Sequence, residues 1–184
     1  MRLTVSLLFT IAAFAQQNSP PAGLEPAWDM AVVLEQIGKD TARLVPVLDQ
    51  VNATAWMDKG APDAYVAQLQ SCRDQARAIA SEAHLVARNP EKLSAGLQLL
   101  FRFQGLEAIL PSIEDAARRY QSPQVAQALA ATFADSGANR ERFRNYLITL
   151  AAERERQFEV MDQEAQRCRA LLTGPAPSRT GRKK

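Results

Sequence analysis

Apolar residues recur at alternating steps of four and three along four separate segments of this chain, a spacing that leaves little room for anything but packed helices. Met30, Leu34, Ile37, Thr41, Leu44, Leu48 and Val51 form the first series. Tyr65, Leu69, Cys72, Ala76, Ile79, Ala83 and Val86 form the second. Leu99, Phe103, Leu106, Leu110, Ile113, Ala117 and Tyr120 form the third. The last runs Leu147, Ala151, Arg154, Phe158, Met161, Ala165, Cys168 and Leu172. Such spacing places one residue per turn on a single stripe, as in helices packed at shallow angles. No segment alternates with period two, so strands are not expected. Ala and Leu supply most of the apolar content, which suits helices, and only 7% of the chain is aromatic.

Local chemistry marks the joints. Pro62 follows Lys59-Gly60, Pro90 follows Asn89, and Pro123 follows Ser122, each proline being pre-set for a first helical turn. Asp135-Ser136-Gly137-Ala138-Asn139 is a fourth break, where Gly137 is expected to turn the chain back and Asn139 to start the last helix. The predicted helices span 27–58, 62–88, 90–120, 123–134 and 139–172. Pro46 and Pro111 fall inside the first and third and should kink them. The expected fold is an all-α, up-and-down bundle of four to five helices over 27–172.

Both ends differ from this body. Arg2, the uncharged run Leu3 to Phe14 and the closing Ala13-Phe14-Ala15 read as a signal peptide over 1–15. The run is shorter than the roughly 20 residues a bilayer-spanning helix needs, so no integral membrane segment is expected once it is removed. Residues 16–26 read as a disordered polar linker with Pro20, Pro21 and Pro26. Residues 173–184 read as a disordered basic tail, able to touch anionic surfaces weakly. These features predict an exported protein, periplasmic or extracellular. In a eukaryotic secretory route Asn52-Ala53-Thr54 would be a glycosylation sequon.

Export bears on the two cysteines. An oxidising compartment favours a bridge, here Cys72 to Cys168, closing a loop of roughly 100 residues worth on the order of 4–5 kcal/mol. The bridge requires the last helix to run antiparallel to the second. Were residues 123–172 one helix parallel to the second, the thiols would stand tens of ångströms apart, at about 1.5 Å per residue. The sequence therefore predicts a disulfide between helix two and the last helix, and a reversal at 136–139.

Chemistry is thinly represented. Arg2 goes with the leader, and Arg179, Arg182, Lys183 and Lys184 lie in the tail, so the body is mildly acidic and nucleic acid is not an expected partner. His84 is the only histidine, which removes the His-rich zinc, di-iron and H-E-x-x-H patterns. A b-type haem would have to pair it with Met30, Met57 or Met161. No G-x-S-x-G and no Gly-rich phosphate loop occur. No catalytic residue, cofactor or metal is expected.

Two features stand out. Thr41 and Arg154 interrupt apolar stripes and form a candidate interior polar site. The third helix carries large apolar residues on more than one face, so Leu97, Phe101, Arg102 and Gln104 form a candidate binding surface. The expectation is a non-catalytic interaction module, chaperone- or adaptor-like, that captures a protein partner or self-associates. An all-helical enzyme with a polar pocket around Arg154 and Thr41 is the alternative, with a haem- or metal-carrying bundle after it.

Overall fold

The computed structural model describes residues 23–173. They form α1 (Ala27–Asp49), α2 (Ala53–Met57), α3 (Ala64–Ala87), α4 (Leu93–Tyr120), α5 (Pro123–Ala134) and α6 (Gly137–Thr173). The described residues contain no strand, and the all-helical expectation is met. The expected leader, the linker up to Ala22 and the tail from Gly174 lie outside the described residues.

Side-chain pairs fix the direction of each helix. Asp49 pairs with Arg73 at 3.0 Å and Glu35 meets His84 at 2.5 Å, so α1 and α3 are antiparallel. Ser112 donates to Gln68 at 3.2 Å and Arg102 pairs with Glu82 at 2.7 Å, setting α4 antiparallel to α3. Arg140 pairs with Glu107, and Arg154 with Glu91 at 3.2 Å, so α6 descends α4 in the opposite sense. α5 leaves the end of α4 at Ser122 and reaches Phe133, whose ring, like that of Phe103, lies against the Arg140 guanidinium. α5 therefore travels in the same direction as α6, and the two together make the fourth helix of the bundle.

The expected reversal at 136–139 does not occur. α6 starts at Gly137 rather than Asn139, and the only described glycine with positive φ is Gly60, not Gly137. At the break, the carbonyl of Ser136 takes the amide of Arg140 at 2.9 Å, and its hydroxyl donates to the Phe133 carbonyl at 3.2 Å. The chain continues in the same direction. The expected disulfide fails for the same reason. α6 runs parallel to α3, and Cys168 lies 28 positions beyond Arg140, about 42 Å along the axis. Both cysteines are free, Cys72 buried and Cys168 exposed.

The core follows the stripes. Met30, Leu34, Ile37, Leu44 and Leu48 of α1 are fully buried, as are Cys72, Ala76 and Ile79 of α3. α4 buries Leu99, Phe103, Leu106, Leu110 and Ile113, and α6 buries Phe143, Tyr146, Leu147 and Leu150. α4 touches α3, α5 and α6, which is why its apolar residues exceed one stripe. Both α1 and α4 run through their internal prolines.

One end of the bundle is closed by a segment the periodicity does not reveal. The helix expected over 27–58 stops at Asp49, and Asn52 starts α2 by accepting from the Ala55 amide at 3.1 Å. Gln121 fastens this lid: its carbonyl takes the Asn52 amide at 3.1 Å and the Trp56 indole at 3.2 Å, while its amide donates to the Gln50 carbonyl at 2.8 Å. Trp56 packs among Tyr65 and Tyr120, with centroids at 5.8 and 6.3 Å. Gly60, at φ +85°, then ends α2, with the Ala61 amide reaching the Trp56 carbonyl at 3.1 Å.

α1 and α3 approach closely at Gly38. A Cβ there would lie 3.1 Å from the His84 ring and 3.2 Å from the Ala80 carbonyl. Gly105, in the middle of α4, has only the Gln75 side chain at 3.7 Å. Replacing a mid-helix glycine by alanine ordinarily gains about 1 kcal/mol. Gly105→Ala should realise most of that gain in urea unfolding. Gly38→Ala should instead lose roughly 1 kcal/mol, because overpacking at a backbone contact outweighs the propensity term.

Candidate functional site

α6 is two structures in one helix. Its first part is held by Phe143, Leu147 and Leu150 in the core. From Arg154 to Leu172 every residue is exposed, and this stretch extends past the bundle as a free arm. Nineteen residues of helix span about 28 Å at 1.5 Å per residue. The arm is supported by its own side chains: Glu153 bonds Arg156 and Gln157, Arg154 donates to Gln157 at 3.1 Å, and Gln166 donates to Asp162 at 3.4 Å. Pairs of this i,i+3 and i,i+4 kind contribute a few tenths of a kcal/mol each, which suits a helix with no tertiary cover.

The fourth apolar stripe continues along this arm into solvent. Phe158 is 72% exposed, Met161 67% and Leu172 82%, and Cys168 is exposed between them. A shallow groove near the arm's middle is lined by Gln157, Val160 and Met161, and another at its root by Leu93, Ala151, Arg154 and Phe158. Soluble proteins rarely display so many large apolar side chains on one face unless something covers them. The arm's charges are mixed, with Glu155, Asp162 and Glu164 beside Arg156, Arg167 and Arg169.

The structure separates the residues expected to form an interior polar site. Thr41 is buried within α1. Arg154 is exposed at the root of the arm, paired with Glu91 at 3.2 Å, and faces no cavity in the core. The stripe position that placed it inside continues beyond the bundle, so the same spacing leads to solvent. The buried charged group of α1 is Asp40, whose Oδ1 accepts from Gln36 and from Arg43, both at 2.7 Å. Arg43 also reaches Asp135 at 3.1 Å, tying α1 to the break in the fourth helix. Sequence spacing hides this network, since a Gln, Asp, Arg set at i, i+4 and i+7 resembles any solvated helix face.

The other named residues are scattered. On α4, Leu97 is half-buried, Phe101 is 62% exposed, Gln104 is exposed, and Arg102 is engaged with Glu82. Of the large apolar residues on that helix only Phe101 stands fully outside, so the surface expected there shrinks to one side chain. His84 presents Nδ1 to Glu35 at 2.5 Å and lies over Gly38, while Met161 stands on the arm. Among the described residues no three His, Cys, Asp or Glu side chains gather to hold a metal ion, and no helix is long and apolar enough to cross a membrane.

The remaining perturbed groups are explained by packing. Burial, with a smaller push from Glu114, raises the Cys72 thiol to about 11. Burial raises Glu114 itself, opposed by Arg118. The Arg140 guanidinium is lowered by burial and partly restored by Glu107. The Tyr146 phenol is raised by burial first and by Glu91 next. No known protein family, characterised protein or solved structure matches this chain.

A raised thiol pKa has a signed consequence for stability. Below pH 9 Cys72 is neutral in both folded and unfolded chains; between 9 and about 11 only the unfolded thiol ionises. Stability should therefore fall across that window, by roughly 2–3 kcal/mol. Denaturant titrations from pH 8 to 11 should show this slope, reduced in Cys72→Ala. For α4, Phe101→Asp should leave the unfolding free energy within about 0.5 kcal/mol of the parent, as at other exposed sites.

Proposed function

We propose that this protein acts by binding, and that the free half of α6 is the element it offers to a protein partner. The exposed continuation of the stripe, Phe158, Met161 and Leu172, on a helix whose bundle is complete without it, is the observation that carries the reading. Residues that served the bundle's own packing alone would not continue for several turns past its end. An amphipathic helix is a common recognition element, laid into a groove or against another helix. The docking surface thus moves from α4 to α6 relative to the sequence expectation.

On this reading the protein is an exported, non-catalytic adaptor or chaperone-like module of the cell envelope or secretome. The apparent leader at 1–15 is what supports export. An up-and-down arrangement with a composite fourth helix suits the role, because it gives one long helix a rigid base.

The test is a double substitution, Phe158→Asp with Met161→Asp. Both positions are exposed, so the melting curve of the variant should match that of the parent. Affinity capture from the native envelope fraction should lose whatever the parent retains. Unchanged capture by this variant would remove the arm from the function.

A further inference from the structure

We infer that the occupant of the arm's apolar stripe is a second copy of this chain, paired antiparallel through residues 161–172; this deepens the binding reading above and rests on it. The spacing itself points to a helix. Phe158, Met161, Ala165, Cys168 and Leu172 keep a strict seven-residue repeat, and a repeat of 3.5 per turn stays in register only against another helix. Identical partners then meet by a two-fold axis, with one patch serving both sides.

The bundle decides the direction. The stripe on the arm continues the line of Phe143, Leu147 and Leu150, which face the protein's own interior. A parallel partner following that line would run into the space filled by α1 and α4. An antiparallel partner runs outward, keeping its own bundle beyond the tip of the first arm. Each arm then lies along the other in the space just past the opposite bundle.

Charge decides the register. Apolar positions remain opposite one another when the copies slide by whole heptads. In one register Glu155 faces Asp162 of the second copy, a like-charge contact. In the next, Glu155 faces Arg169 of the second copy, but Asp162 and Glu164 each face their own counterparts at the axis. In the third, Asp162 faces Arg169 of the second copy on both flanks and no like charges oppose. There Met161 lies opposite Leu172 of the second copy, and Ala165 opposite Cys168 of the second copy. Small side chains at the centre let the helices approach, and larger ones close the overlap on either side. Flanking charges of this kind set partner and orientation in helix pairs.

Sedimentation equilibrium of the mature chain should show a concentration-dependent dimer. Asp162→Arg and Arg169→Asp, taken singly, should each weaken it about tenfold or more, since each converts two attractive contacts into repulsive ones. The double variant Asp162→Arg with Arg169→Asp should recover most of the affinity, with unchanged far-ultraviolet circular dichroism in all three. A chain that stays monomeric at every concentration overturns the self-pairing, while partner capture by the arm, tested through Phe158 and Met161, stands or falls separately. A dimer indifferent to the charge exchange, or one joined by a Cys168–Cys168 disulfide, overturns the antiparallel register.

Discussion

Arg140 is the point on which the fourth side of the bundle turns. Its guanidinium lies 3.9 Å from the centre of the Phe133 ring and 5.9 Å from that of Phe103, and it pairs with Glu107. Phe133 belongs to α5, Phe103 and Glu107 to α4, and Arg140 itself to the first turn of α6. One side chain thus spans the break and holds both pieces to a common neighbour. Cation–π contact and a partly buried ion pair offset the desolvation that pushes this group's pKa down. With α5 and α6 aligned in this way, the chain continues forward, α6 descends α4, and its length carries it past the bundle.

Much of the helical architecture is legible in the sequence, because a 4-3 stripe is a direct consequence of 3.6 residues per turn. Ser122-Pro123 starts α5 as its chemistry requires, the Ser122 hydroxyl accepting from Val125 at 3.3 Å. Direction is another matter. A stripe has no sense along the axis, and Asp135-Ser136-Gly137-Ala138-Asn139 has the composition of a turn. The contacts that decide, Arg43 to Asp135 and Arg140 to Glu107, join residues far apart in sequence. Once the direction is lost, the disulfide that required it is lost as well.

The same limit explains the site. Periodicity identifies a seam without saying whose helix fills it. Leu147 and Met161 occupy equivalent places on the repeat, yet one is 2% exposed and the other 67%. Arg154 marks the transition, since a charged residue on an apolar stripe is where the bundle ends. The lid built on Trp56 and Gln121 went unseen for a related reason. Five helical residues are too few to show a period, and Gln121 gives no sign in sequence of the three partners it gathers.

The undivided backbone of α6 also makes it a helix with two different stabilities. Amides around Leu147 open only when the core does, because breaking their hydrogen bonds exposes Leu147 and Leu150 to water. Amides beyond Arg154 are protected by helix–coil terms alone, and an isolated stretch of that length is marginal in water. Hydrogen exchange along this one helix therefore descends from global to local unfolding within a few turns. Whatever settles on the arm removes that difference, and the ordering it imposes is part of the free energy of the encounter.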